Sequence, residues 1–118
     1  MTTTNKEATL YGYKAHVVRV VDGDTLVLDV DLGFSVVLKG QTLRMARVNA
    51  PERKGATLAA GDKSKEALRA RLEGKEVTIR TFRGGEDKYG RILADVYLDG
   101  ECVNDWLLKE GLAVSFMA

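Results

Sequence analysis

Residues 14–31, Lys14-Ala15-His16-Val17-Val18-Arg19-Val20-Val21-Asp22-Gly23-Asp24-Thr25-Leu26-Val27-Leu28-Asp29-Val30-Asp31, read as two strands around a turn. Lys14 to Val21 alternates in part and is rich in β-branched residues, and the Asp22-Gly23 pair breaks it with a turn signal. Thr25 to Asp31 alternates more strictly and places Leu26, Leu28 and Val30 on one face, as a half-buried strand requires. Gly33 marks the next turn. Beyond it, Phe34 to Leu38 and Leu43 to Val48 read as one long strand interrupted near Gly40 by a bulge, and Pro51 ends it.

Helix chemistry follows from Asp62 to Glu73, with Asp62 as N-cap, a run of good helix formers and Gly74 at C′. Ser64, Ala67, Leu68, Arg71 and Leu72 share one side, and Ala67, Leu68 and Leu72 are expected to face the core. Val77 to Phe82 is the next strand and pairs with Arg91 to Leu98 across a Gly-rich loop, and Asp99-Gly100 signals another turn. A short helix is predicted from Asn104 through Glu110, closed by Gly111. Strands, helix, strands and helix in this order predict an α+β, mainly β, domain around a small barrel.

The chain has 118 residues, 45% of them hydrophobic, which suits one compact domain. No apolar run approaches the roughly 18 residues needed to span a bilayer, so a membrane partner is not expected. Met1 to Ala15 lacks the apolar segment of a secretory signal. The expected location of the chain as it stands is therefore cytoplasmic, although a processed secreted form would read the same. Cys102 is the sole cysteine, so an internal disulfide is excluded. Net charge is only +1, but its distribution is uneven. Lys39 to Arg91 holds 14 basic residues against 7 acidic, and Ile92 to Ala118 holds 1 against 5. The middle of the chain can form a basic face, or its charges can simply solvate exposed surfaces.

Three short motifs carry the chemistry. The first, Val21-Asp22-Gly23-Asp24-Thr25, puts two carboxylates on either side of a glycine where a strand meets a turn, and calcium takes several oxygen ligands of this kind. Alone, Asp-Gly-Asp is an ordinary hairpin turn. The second runs from Arg44 to Glu52, Arg-Met-Ala-Arg-Val-Asn-Ala-Pro-Glu. Phosphodiester hydrolysis needs an acceptor for a water proton and cations for the charge growing on phosphate oxygens, and Glu52 and Arg44 are of the right types. Pro51 restricts Ala50 to extended geometry, which suits a backbone carbonyl facing a cation. The third, Asp87-Lys88-Tyr89-Gly90-Arg91, offers a second guanidinium, whose planar fork can bind two phosphate oxygens. Alone it is a polar hairpin loop.

Taken in order, with a helix between the second and third, these motifs resemble the staphylococcal (micrococcal, thermonuclease-like) nuclease family. The resemblance covers roughly Tyr13 to Ala113 and implies a five-stranded OB-type β-barrel with one longer and one short helix. It implies a flexible segment at residues 1–12 and a nuclease-like domain at 13–118. The implied activity is calcium-dependent hydrolysis of DNA or RNA phosphodiesters leaving 3′-phosphate ends. Arg44, Glu52 and Arg91 match the family's catalytic residues; Asp24, Asn49 and the backbone carbonyl of Ala50 match its metal ligands. Asp22 matches an acid near the metal that acts indirectly, and Lys88 and Tyr89 match residues that contact a terminal phosphate or nucleotide.

Two departures bear on activity. Asn49 stands where the family most often has an aspartate, so weaker rather than absent calcium binding is expected, since affinity depends on ligand charge count. Asp22 can compensate for part of that charge. The family's larger members continue past the final short helix with nucleotide-stacking tyrosines, whereas here Phe116 is the aromatic available. The alternative function is a catalytically weak or inactive barrel acting as a nucleic-acid-binding or protein-interaction module; a carboxylate at position 52 argues against it, because a phosphate-binding surface gains nothing from one. The expected partner is nucleic acid, single strands favoured, because such barrels bind them through basic grooves. The chain is expected to be a monomer.

Other residues read as structural. His16 is the single histidine, an exposed or hydrogen-bonded strand residue, and no His/Cys cluster supports zinc. Trp106 and Leu107 are expected to anchor the last helix, and Phe34 to be a packed or incidental turn residue. Ser115 has no companion that would make it a nucleophile.

Overall fold

The computed structural model describes residues 11–86 and 89–116, the side chains of 83–86 excepted. Five strands, β1 (Gly12–Asp22), β2 (Thr25–Gly33), β3 (Val36–Met45), β5 (Glu76–Glu86) and β6 (Ile92–Leu98), form a closed mixed barrel. Antiparallel ladders run β3-β2-β1-β5-β6, and a short parallel ladder between β3 and β6 closes the ring. Two-residue strands β4 (Val48–Asn49) and β8 (Val114–Ser115) pair beside it, and β7 (Glu101–Cys102) extends β6 as a hairpin. Helix α1 spans Leu58–Leu72 after a 3₁₀ turn at Gly55–Thr57, and α2 spans Val103–Lys109. The expected mainly-β barrel with one longer and one short helix is the observed fold. Gly12 opens β1 and the Tyr11 carbonyl accepts a bond from Thr81 N, while the rest of the expected flexible segment lies outside the described residues.

The strands alternate in and out because one face is apolar, and the irregularities have local causes. In β1, Ala15 and Val17 point inward, then a register shift between Val17 and Arg19 changes the phase so that Val20 points inward next. That bulge leaves Val18 exposed and explains the partial alternation. In β3 the register slips between Leu38 and Gln41, where Gly40 sits at φ 65°, so the interruption near Gly40 is a bulge within a continuous strand. The strand stops at Met45, however. Arg47, at φ 67°, turns the chain so that Val48 and Asn49 form a separate element rather than the end of one long strand. At the β2–β3 turn, Phe34 and Ser35 both have positive φ, and Phe34 is fully exposed rather than packed.

The long helix begins four residues before the expected Asp62. Asp62 lies in its interior, and its carboxylate accepts from Arg53 Nε instead of capping. The start was masked by Gly61, a poor helix former that serves packing here. The end is as expected, with Gly74 in the left-handed region at φ 77°. Gly61, Ser64, Leu68 and Leu72 are buried along one face, with Ala67 packed against the core beside them. Ser64 Oγ donates to the Leu112 carbonyl at 2.6 Å, tying α1 to the segment after α2.

Helix α2 contributes Leu107 to the core and rests Trp106 against it, with the Arg71 guanidinium of α1 4.5 Å from the indole ring. Asn104 lies in the first turn of α2 and is fully buried. Its Oδ1 accepts from Val96 N at 2.8 Å, and its Nδ2 donates to the carbonyls of Ala46 at 2.8 Å and Ala94 at 3.3 Å. One amide thus satisfies backbone groups where the parallel ladder ends. On the outer side, Arg47 bridges Asp95 at 3.1 Å and Asp105 at 2.9 Å. Burial works against the Arg47 charge, but hydrogen bonding to Asp105 and the field of Asp95 outweigh it, so its pKa lies above the ordinary value. Burial also pushes the neighbouring Cys102 thiol up. No helix among the described residues is long and apolar enough to cross a membrane.

Replacing Asn104 with Leu keeps the volume but orphans Val96 N and the Ala46 carbonyl. We expect a loss of about 2 kcal/mol or more, at roughly 1–3 kcal/mol per unsatisfied buried group. Urea unfolding measures it, and a variant as stable as the native chain would remove Asn104 from this role.

Candidate active site

The turn between β1 and β2, the segment after β4 and the start of β6 meet at one end of the barrel. They bound a cleft of about 350 Å³ whose walls include Asp22, Asp24, Arg44, Asn49, Ala50, Glu52 and Arg91. Every expected catalytic and metal-site position therefore lines one cavity. Tyr89 lies beside Arg91, whose guanidinium stands 5.3 Å from its ring, and Lys88 lies outside the described residues. Pro51, expected to restrain Ala50, lines the same cleft, as do Thr25, Arg53 and Lys54, to which the sequence assigned no role. Their adjacency to Asp24 and Glu52 was the available signal.

Asp24 is the most constrained acid. Its side chain is 12% exposed; Oδ1 accepts from Thr25 Oγ1 at 2.9 Å and Oδ2 from Ala50 N at 2.9 Å. Arg44 Nη2 lies 3.6 Å from the same Oδ2. A buried carboxylate needs such partners, and here they also lock the turn to the segment leading to Glu52. Main chain reinforces the lock, as Met45 N donates to the Asp24 carbonyl at 2.8 Å.

Arg44 sits in the middle of the parallel ladder, between the inward-pointing Leu43 and Met45, so alternation aims its side chain at the cleft. Its Nη1 donates to the Met45 carbonyl at 2.7 Å and Nη2 points at Asn49 Oδ1, 3.4 Å away. Phe116 lies against it, the guanidinium carbon being 5.8 Å from the ring centroid. The chain reaches this point because Phe116 N donates to the Arg47 carbonyl. Arg91 immediately precedes β6, so the parallel ladder brings the two arginines to one wall.

Glu52 is held by its backbone and exposed at its tip. Thr57 Oγ1 donates to its carbonyl at 2.7 Å, and a Cβ on Gly61 would stand 2.7 Å from that same oxygen. Only a glycine in α1 lets the helix approach this closely. Gly23 does the same for the turn, where a Cβ would lie 2.8 Å from the Cβ atoms of both Ala50 and Ser64. The Glu52 carboxylate itself is 73% exposed, with Lys54 Nζ 3.6 Å from Oε2. Arg53 reaches the other way, to Asp62 Oδ1 at 2.9 Å and Asp22 Oδ1 at 3.5 Å, and these bonds, that to Asp62 foremost, raise its pKa.

The donor set suits a hard cation: the Asp24 carboxylate, the Asn49 amide oxygen and the Ala50 carbonyl are all oxygen, with Asp22 and Glu52 on the same cleft. Among the described residues, no three His, Cys, Asp or Glu side chains converge into a ready-made metal cage. The residues fit such a cation with fewer formal charges than an all-carboxylate site would bring.

Comparison with known proteins gives one consistent result. The family model described as staphylococcal nuclease homologue matches residues 42–118. A thermonuclease of Staphylococcus hyicus is 38% identical over 100 residues, covering 82% of this chain and 56% of the relative. Endonuclease YncB of Bacillus subtilis is 34% identical over 101 residues, covering 80% of this chain and 44% of the relative. An uncharacterized endonuclease of Haemophilus influenzae is 35% identical over 100 residues, covering 85% and 51%. The chain spans about half the length of these curated relatives.

Gly61 provides the check on this geometry. In a helix interior Gly→Ala normally stabilises by about 1 kcal/mol, whereas forcing a methyl into a packed contact costs about 1–3 kcal/mol. Gly61→Ala should therefore destabilise in thermal and urea unfolding and weaken whatever activity depends on Glu52. A stabilised, fully active variant would contradict the close approach.

Proposed function

The chain belongs to the staphylococcal nuclease family, and from that premise we propose that it is a calcium-dependent nuclease hydrolysing phosphodiester bonds of DNA or RNA to leave 3′-phosphate ends. The observation that carries the reading is the convergence of Asp24, Arg44, Glu52 and Arg91, from three segments remote in sequence, on one cleft. An acid fixed by two hydrogen bonds and an ion pair, an exposed carboxylate and two guanidiniums are what in-line attack on a phosphodiester uses.

Asp24, Asn49 and the Ala50 carbonyl would hold the calcium, whose chemistry when bound is Lewis-acid polarisation of a phosphate oxygen and of water. Glu52, anchored by Thr57 and α1 and exposed at its tip, takes a proton from the attacking water. The water oxygen forms a bond to phosphorus, the bond to the 5′-oxygen breaks, and that oxygen leaves with a proton from solvent. Arg44 and Arg91 face the growing charge on the phosphate oxygens. Arg44 exchanges its bonds to the Met45 carbonyl and Asn49 for the phosphate, and Phe116 supports its plane. Lys88 and Tyr89 place the nucleotide. A single-stranded substrate suits a cleft whose reactive groups must reach both sides of one phosphorus. The chain acts as a monomer.

The deciding measurement is calcium-dependent cleavage of denatured DNA and of RNA, with a chelator control. Glu52→Gln should lower turnover by roughly 10²–10⁴-fold with folding intact, since it removes the proton acceptor and keeps the volume. A native chain that binds nucleic acid and cuts neither polymer across a broad calcium range would favour the binding module, a reading the amide at position 49 supports. Asn49→Asp should tighten calcium in calorimetry by restoring an anionic ligand. Equal or weaker binding would take position 49 out of the cation site.

A further inference from the structure

We propose that Arg53 is a positioning residue that holds Glu52 in place and keeps the Asp22 carboxylate out of the cation site; this deepens, and rests on, the nuclease reading above. Its guanidinium lies between acids from two different elements. Nε donates to Asp62 Oδ1 of α1 at 2.9 Å, and Nη1 stands 3.5 Å from Asp22 Oδ1 at the end of β1. Its stem is pressed onto the helix, with Cγ 2.8 Å from where a Gly61 Cβ would be. Arg53 follows Glu52 directly. Each bond it makes therefore restrains the backbone that carries the Glu52 carboxylate.

The three acids of the cleft are not equivalent. Asp24 is fixed by Thr25, Ala50 and Arg44. Glu52 extends into solvent beside Lys54. Asp22, about half exposed, is turned toward Arg53. Because Asn49 is neutral, Asp22 is the carboxylate whose release would return the charge that position 49 lacks. Arg53 opposes that release with its own charge and with the Asp62 anchor, which holds the guanidinium where Asp22 meets it.

Removing Arg53 therefore has two effects of opposite sign. Calcium binding strengthens as Asp22 becomes available, and turnover falls as Glu52 loses its restraint. A residue that merely stabilised the fold would move neither in this pattern.

The test is a double-mutant cycle on the full chain: native, Arg53→Gln, Asp22→Asn and the double variant, each titrated with calcium chloride by calorimetry and checked by thermal melting. Arg53→Gln should lower the calcium Kd by about fivefold or more, whereas in the Asp22→Asn background the same change should stay within about twofold, the coupling expected of groups in contact. On denatured DNA, kcat of Arg53→Gln should fall about 10-fold or more with KM little changed, as for a misplaced catalytic group. Arg53→Lys should recover part of the native calcium affinity and little of kcat, because a compact ammonium lacks the rigid planar fork whose separate nitrogens meet Asp62 and Asp22. If Arg53→Gln does not fold, Asp62→Asn replaces it, and kcat should then fall with a smaller gain in calcium affinity that Asp22→Asn abolishes, because the guanidinium keeps its charge but loses the anchor that holds it against Asp22. An equal calcium gain in both Asp22 backgrounds would reduce Arg53 to bulk charge and overturn the proposal, as would no gain or no calcium binding in any variant. A native chain that shows the coupling but cuts no nucleic acid would reject the nuclease reading and the Glu52 role while leaving the Asp22–Arg53 assignment standing.

Discussion

The barrel depends on a closure only three residue pairs long, Leu43, Arg44 and Met45 against Ile92, Leu93 and Ala94. Parallel pairing of segments so far apart in the chain carries a loop-closure cost that local hairpins do not. Side-chain chemistry supports it where the ladder stops. Ala46 N bonds the Ala94 carbonyl, and the Asn104 amide reaches both that carbonyl and the Ala46 carbonyl. A short helix that looks peripheral thus stabilises the seam of the barrel. Leu43 and Met45 fill the interior from one side of that seam, which leaves Arg44 no direction but outward, toward the cleft.

The cleft inherits its precision from close backbone approach more than from long side chains. Gly23 and Gly61 allow a turn, a helix and the Ala50–Glu52 segment to meet at distances no Cβ would permit. Asp24 then bonds across the junction to Ala50 N. The same carboxylate that is expected to face a cation is therefore a structural fastener, with one function fixing the geometry of the other. Arg44 shares this double duty through Met45 and Asn49.

Charge is arranged by location as well as by number. The cations of the cleft, Arg44, Arg53, Lys54 and Arg91, come from the basic middle of the chain, while acids of the last third, Asp95 and Asp105, hold Arg47 on the outer surface. The near-neutral total conceals a local excess of cations in the cleft, which matches a polyanionic substrate. Exposed pairs such as His16 with Glu76 add little to stability by comparison.

Local periodicity was enough to determine the strands around Asp22-Gly23, the inward face of Leu26, Leu28 and Val30, the bulge near Gly40, the helix end at Gly74 and the turn at Asp99-Gly100. Each depends on residues adjacent in the chain. The three motifs likewise named nearly every side chain that lines the cleft, because the chemistry of carboxylates and guanidiniums is intrinsic to them. What needed the tertiary structure was everything decided by contact between distant residues. The helix start at Leu58 was hidden because Gly61 is chosen for the Glu52 carbonyl, against helix propensity. Asn104 read as a helix-start residue, and only the fold reveals it as the buried clasp of the β3–β6 seam. The bond of Arg53 to Asp62 and the packing of Phe116 on Arg44 were equally unreadable, since a hydrogen bond or ring contact between residues apart in the chain leaves no periodic trace in the sequence.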